Sequence, residues 1–248
     1  MSDSSSPVLH LVHLEIDATS VLSDELTQRL GRACDEVEDA STPAVLLLHL
    51  RGAATLPVEA SWPGPVNLDV IGRWEKAMRR FERLEGVSLA CIDNACTAGM
   101  LDLLLAVDRR IAVPGASIRM HSRGEAAWPS MAMRRMSTRM GIDAARTVFL
   151  FETQLGCARM AQLGVVDQVS EDAQGAIGAW LASLAEVDLQ ALPGRRLLLL
   201  EGAAHSYEQA VGQHLAACDM ELRRRQRRLA AQATAEHPHG TCMPMASA

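Results

Sequence analysis

The segment 88–112, SLACIDNACTAGMLDLLLAVDRRIA, sets a run of small residues between an apolar strand and an apolar helix that begins near Gly99, with Asp102 one turn further on. The first amides of a helix have no internal partners and lie at the positive end of its dipole, so a developing oxyanion can be held there without a charged side chain. Glycine at the turn lets a substrate approach the backbone closely. Loss of one such donor costs about 3–4 kcal/mol of transition-state stabilisation. Asp102 has two readings: a first-turn carboxylate that stabilises the dipole, or an acid–base group on the substrate side.

A second segment with chemical potential is 131–140, MAMRRMSTRM. At helical spacing it puts Met133, Met136 and Met140 on one face and Arg135 and Arg139 on another. Core packing accounts for the methionines. A flexible thioether wall for an acyl pocket is the alternative, with Arg135 or Arg139 meeting a phosphate. The late run Arg223, Arg224, Arg225, Arg227, Arg228 reads as a solvated helix face or as a contact for an anionic partner. No Walker loop, G-x-G-x-x-G, H-E-x-x-H or G-x-S-x-G is present, which removes nucleotide, zinc-protease and serine-hydrolase readings. A net charge of −6 argues against a dedicated nucleic-acid binder. The six cysteines form no Cys-x-x-Cys pair and read as reduced, mostly buried thiols. His237, His239 and Cys242 raise the question of a metal, but terminal disorder is the preferred reading and no metal is expected.

The elements that must position these groups follow from hydrophobic periodicity. Residues 8–16 suit a strand, and 23–38 carry Leu26, Leu30, Ala33, Cys34 and Val37 at helical spacing. The apolar run 44–50 is short enough for a buried parallel strand, and 68–84 is again amphipathic. Residues 87–92 make the next buried strand, 99–107 an apolar helix, and 109–113 with 117–121 further short strands. From Met131 the pattern is mainly helical, broken at Gly141, Gly156, Gly164 and Pro193, with 165–169 as a short strand. The alternation implies stacked β-α units in an α/β domain. A core over 1–190, a C-terminal helical region of the same domain over 191–235 and a flexible tail over 236–248 are expected, with 206–235 as an assembly surface. No apolar run approaches the roughly 20 residues of a membrane span, and Met1–Pro7 has no signal-peptide layout, so the expected location is cytoplasmic.

The segment around Gly99 resembles the second oxyanion-loop region of the crotonase, or enoyl-CoA hydratase/isomerase, superfamily. There a Gly-rich turn and a catalytic carboxylate precede an Asp that opens a short Arg-Ile-Ala strand, which Asp108, Arg109, Arg110, Ile111 and Ala112 match without gaps. The resemblance implies a fold of stacked β-β-α turns in a spiral core with a helical C-terminal region. Counting back from Asp108 carries the oxyanion glycine onto Gly99 and the first catalytic Glu onto Asp102, while the flanking glycines become Ala98 and Met100. Residues 158–169, ARMAQLGVVDQV, match the family segment in which a helix ends at Gly before a short strand. In the loop 56–65, LPVEASWPGP, the first oxyanion donor falls on Val58. The second family Glu falls on Ser122, with His121 and Glu125 beside it as partner bases. Met100, Trp128 and Met133 are assigned to the acyl pocket.

Within that superfamily, the stretch from Trp74 through Ala112, with Ala127, Trp128 and Pro129, looks most like the DpgB accessory branch, which accompanies a type III polyketide synthase in making dihydroxyphenylacetyl-CoA. The resemblance implies dehydration and aromatisation of a polyketide thioester. Its alternatives are a non-catalytic partner that stabilises or activates the synthase, and ordinary enoyl-CoA hydration. It also implies an acyl-CoA substrate, no cofactor beyond coenzyme A as part of that substrate, sister crotonase-like proteins as partners, and a homo-oligomer, trimer or hexamer, without nucleic acid or membrane.

Overall fold

The computed structural model describes residues 8–122, 124–202 and 205–236. Strand β1 (His10–Asp17) alternates, burying Val12, Leu14 and Ile16 while exposing His13, Glu15 and Asp17, as a sheet edge with one covered face should. Helix α1 (Asp24–Glu38) starts where the Ser23 hydroxyl accepts from the Leu26 N–H at 3.1 Å, a cap worth about 1 kcal/mol. Strand β2 (Ala44–Arg51) is buried at every residue except Arg51, which explains a run that is apolar but for His49. Helix α2 (Leu68–Glu82) is capped by Asn67 and leads to β3 (Val87–Ile92), buried throughout.

Strand β4 (Ala95–Thr97) and helix α3 (Gly99–Leu104) follow, then β5 (Arg109–Ala112) and β6 (Ser117–Arg119). Helices α4 (Ala132–Met140) and α5 (Ile142–Phe151), strand β7 (Gln154–Gly156), helix α6 (Cys157–Leu163), strand β8 (Gln168–Val169) and helix α7 (Ala173–Ser183) complete the first compact unit, which ends at Pro193. Five strands pair in parallel in the order β1-β2-β3-β5-β8. A smaller sheet pairs β4 with β6 in parallel and β6 with β7 antiparallel. One face of the large sheet packs Leu46, Leu48, Leu50, Ala90 and Ile92 into a core that includes the buried residues of α1, α2 and α3. Val45, Leu47, Leu89 and Ile111 on the other face meet Ala176 and Ile177 of α7.

Asp108 has a structural task at the head of β5. Its Oδ2 accepts from the Ser88 N–H at 2.9 Å and the Ser88 hydroxyl at 3.1 Å, and its own N–H donates to Ser88 Oγ at 3.2 Å. These bonds lock β5 beside β3 and so fix where the preceding helix ends. Asp167 does the same between β5 and β8, accepting from the Arg110 N–H at 2.8 Å and from its guanidinium at 2.7 and 3.1 Å. Helix α6 ends at Gly164, whose φ of 73° is the left-handed geometry that glycine adopts without strain.

Strands β4 and β7, three residues each, were not expected; the sequence reading runs through the first as small residues and through the second as helix. The chain divides into two compact units after Pro193. The second unit holds most of α8 (Leu192–Gly202) and all of α9 (Tyr207–Glu236), in which Leu199, Leu215, Leu222 and Leu229 are exposed. The arginine run lies on α9, where Arg223 pairs with Asp219 at 2.9 Å and Arg225 with Glu221 at 3.2 Å. Cys34, Cys91, Cys96 and Cys157 are buried free thiols and Cys218 is partly exposed, while Cys242, His237 and His239 lie outside the described residues. Burial pushes the Cys34 and Cys96 thiols up to about 12, which leaves them unreactive at neutral pH. Among the described residues no helix is long and apolar enough to cross a membrane.

Candidate active site

Strands β4 and β6 run side by side, and both end at a cavity of about 340 Å³, within the range of small-molecule sites. The end of β4 contributes Thr97 and Ala98; the end of β6 contributes Arg119, Met120, His121 and Ser122. The turn after β6 adds Glu125 and Trp128, and the loop 60–64 adds Trp62. Pairing two short strands thus brings the turn that opens α3 next to residues 20 to 30 positions later in the sequence.

The Trp62 indole lies against Gly99. A Cβ at Gly99 would sit 2.3 Å from Trp62 Cδ2, 2.4 Å from Cε3 and 2.6 Å from Cε2, so only glycine fits under the fused ring. Trp74 packs against Trp62 edge-on, with centroids 5.8 Å apart and planes at 62°. The loop that delivers Trp62 is held by Arg119, whose Nη2 donates to the carbonyls of Pro57, at 2.7 Å, and of Ala60. Thr97 is buried, and its hydroxyl has no hydrogen-bond partner among the described residues. His121 is half-buried; its Nδ1 lies 2.9 Å from the Ser122 carbonyl, a contact that makes Nδ1 the donor and leaves Nε2 as the acceptor of the neutral ring. Glu125 is exposed on a turn closed by its N–H to the Ser122 carbonyl at 3.1 Å.

Asp102 is elsewhere. It is 1% exposed, does not line the cavity, and accepts from Arg135 Nη1 at 3.0 Å, while Arg135 Nε reaches Glu82 at 3.3 Å. Arg139 also approaches Glu82, at 3.6 Å, so Arg135 and Arg139, the phosphate contacts considered from sequence, both face a carboxylate of this chain. Asp102 Oδ2 is buried without a hydrogen-bond partner among the described residues. Burial pushes its carboxyl above the ordinary carboxylate range, with Arg135 and, less, Ser130 and the Ala132 N–H pulling the other way. Glu75 is raised too, first by burial and then by the Asp102 charge.

Of the sequence-derived site residues, the structure therefore gathers His121, Glu125 and Trp128 around one cavity and places Gly99 against its Trp62 wall. Val58 is 84% exposed and does not line the cavity, because the loop turns its side chain to solvent. Met100 is fully buried in the core and Met133 packs against that core, neither lining the cavity, because α3 and α4 use these faces for packing. Sequence reasoning missed Trp62 as a wall, Arg119 as the latch of its loop, the Thr97 hydroxyl and the Asp102–Arg135–Glu82 chain. Only the last had a signal, the arginines set at helical spacing along the methionine-bearing helix. Among the described residues no three His, Cys, Asp or Glu side chains are grouped so as to hold a metal.

The chain matches no protein-family model. It is 32% identical over 211 residues to an enoyl-CoA hydratase of Amycolatopsis orientalis, an alignment that takes in 85% of this chain and 95% of that one. Its fold is that of the enoyl-CoA hydratase of Bacillus anthracis, with a TM-score of 0.73, 16% identity and 94% of each chain covered. The Shewanella pealeana enoyl-CoA hydratase superposes with a TM-score of 0.74 at 12% identity, covering 96% of this chain and 94% of that one. A Thermobifida fusca structure, described as a putative enoyl-CoA hydratase in complex with CoA, gives 0.70 at 18% identity over 90% of this chain and 95% of that one.

Proposed function

Because this chain belongs to the enoyl-CoA hydratase, or crotonase, family, we propose that it acts on an acyl-CoA thioester bound with its carbonyl at the turn 97–99. The observation behind this reading is the convergence of that turn with His121 and Glu125 on one cavity. The coenzyme A held by the Thermobifida fusca protein of the same fold supports the choice of thioester. The Gly99 amide, at the positive end of α3, polarises the carbonyl and stabilises the enolate that forms when a neighbouring proton leaves. His121 through Nε2 and Glu125 through its carboxylate are the cavity groups that take and return protons, so that a β-hydroxyl departs as water. Asp102 contributes through Arg135, holding α3 to α4 and so fixing the amide that faces the carbonyl. Coenzyme A enters as part of the substrate, and the proposed setting is cytoplasmic.

In the finer form of this reading the substrate is the cyclised thioester of a type III polyketide synthase, and loss of water yields a dihydroxyphenylacetyl-CoA-like aromatic product. The resemblance of the stretch from Trp74 to Ala112 supports it. A second reading, a crotonase-fold partner that stabilises or activates the synthase without chemistry of its own, is favoured by one observation: the carboxylate at the family's catalytic position is tied to Arg135 and buried. In this reading the exposed leucines of α9 serve assembly with sister proteins or further copies of the chain. The deciding experiment incubates the synthase and malonyl-CoA with wild type, Asp102→Asn or Glu125→Gln and weighs the products. A dehydrated aromatic thioester formed with wild type and lost with Glu125→Gln supports catalysis; equal enhancement by all three proteins supports the partner. No change on adding any of them leaves both polyketide readings without support.

A further inference from the structure

Arg110, Arg135, Arg139 and Arg159 each meet a carboxylate of this chain. Arg109 meets Gln168 instead, and it does not line the cavity. Arg119 is half-buried and does line it. Its Nη2 has two hydrogens, and both are engaged by neutral acceptors, the carbonyls of Pro57, at 2.7 Å, and of Ala60. The other three N–H groups of the guanidinium, on Nε and Nη1, have no hydrogen-bond partner among the described residues, yet neither nitrogen is shut away from solvent. Both are therefore open to a ligand. Nη2 belongs to both two-nitrogen edges of the fork, so the contact left over is a single charge-assisted hydrogen bond rather than a bidentate one. Glu125, the carboxylate of the lining, is held on the turn after β6 and makes no ion pair with Arg119 among the described residues. The cation is thus not neutralised from within, and the hydroxyl-bearing Ser61 and Ser122 share its cavity.

We propose that Arg119 is a specificity-determining residue that selects an acyl group bearing a carboxylate of its own, held by Nε or Nη1 inside the cavity. The proposal rests on the acyl-CoA reading of the site, though not on its polyketide form. A cavity of about 340 Å³ is too small for coenzyme A itself, so the group that meets Arg119 belongs to the acyl portion. Calorimetric titrations would compare glutaryl-CoA with pentanoyl-CoA, which has the same chain length without the terminal charge, and add coenzyme A alone and free glutarate. The proteins are wild type, Arg119→Gln and Arg119→Lys, each checked for folding by circular dichroism. Wild type is expected to bind glutaryl-CoA about tenfold more tightly than pentanoyl-CoA, the ratio that one hydrogen bond to a charged group supplies. That ratio should shrink as salt rises, a test that needs no variant. Arg119→Gln should bring it close to one, and Arg119→Lys, which keeps the charge, should retain most of it.

If Arg119 serves only to latch the loop, Arg119→Gln weakens both thioesters alike and leaves their ratio unchanged, which overturns the proposal. So does an equal loss of affinity for coenzyme A alone, since the guanidinium would then be reading the phosphates of the carrier. Thioesters that bind wild type without preference for the carboxylate would sink the selectivity and leave the acyl-CoA reading standing. Free glutarate binding in an Arg119-dependent way, with no thioester bound, would do the reverse. Absence of binding by all four compounds would overturn both.

Discussion

Asp102 and Glu125 are the two carboxylates that the sequence brings toward one reaction centre, and the structure gives them opposite surroundings. Asp102 lies in the first turn of α3, almost wholly buried, with one oxygen on Arg135 and the other without a hydrogen-bond partner among the described residues. Glu125 stands exposed at the cavity, its N–H donating to the Ser122 carbonyl. A carboxylate that must exchange protons needs solvent or substrate within reach, whereas one that organises structure needs a fixed cation. In the proposed function the same residue class is thus divided between chemistry and support by what packs over it.

The sharpest way to break this division is to remove the cation. Arg135→Met should destabilise the protein by about 3–5 kcal/mol, because it leaves Asp102 as a buried charge without compensation. The pH dependence follows from the direction of the shift. Asp102 is already raised by burial and would rise further, so the folded state binds its proton more tightly than the unfolded chain does. Stability from such a group is present below the unfolded pKa and is lost as pH rises through the folded one. Denaturant melts should therefore show a larger deficit for Arg135→Met at pH 8 than at pH 5. A deficit independent of pH would mean that the pair is not ionic.

Glu125→Gln tests the other side. General acid–base groups contribute about 10²–10⁴-fold to rate, so turnover of a hydratable thioester should fall at least a hundredfold while the unfolding free energy stays within about 0.5 kcal/mol of wild type, as for an exposed surface substitution. Loss of stability with unchanged turnover would reverse the assignment of roles. A smaller effect is expected where the two regions touch. Gly99→Ala forces a methyl into the Trp62 ring and should cost about 1–3 kcal/mol as an overpacked contact. Combining it with Trp62→Leu should recover part of that loss, and the double-mutant cycle measures the coupling. Additive costs would show that the indole is not what Gly99 accommodates.

Much of the scaffold was legible because its causes are local. The largely apolar run at β2, the Ser23 cap of α1 and the glycine that ends α6 are each written within a few residues. Asp108 was legible as a register mark, and its bonds to Ser88 give the physical reason. The site was less so. Strands β4 and β7 are too short for any period to declare itself, yet β4 and its partner β6 deliver the cavity residues. Trp62 reaches Gly99 across a loop rich in proline, and Asp102 meets Arg135 at a separation of 33 residues. Contacts of that range are set by packing of whole elements, so the residues could be named from the sequence but not their partners.

The smallest expected effect concerns a second buried titratable group, His49 in β2, for which burial outweighs the opposing pull of Glu15 and Asp93. Its ring stacks on His13 with centroids 5.8 Å apart and planes within 5°. Burial, then Arg51 and His13, push its pKa below the ordinary histidine value, so the folded state holds the proton less readily than the unfolded chain. Stability from His49 is whole above the unfolded value of about 6.5 and is lost as pH falls from there toward the folded pKa. The slope cannot exceed that of one proton, about 1.4 kcal/mol per pH unit. His49→Leu, which replaces the ring with another core-forming side chain next to Leu47 and Cys91, should flatten the decline between pH 6.5 and 5 in denaturant melts. If the decline persists unchanged, the acid sensitivity belongs to another group, and a buried neutral histidine is no counterpart to the buried, paired carboxylate.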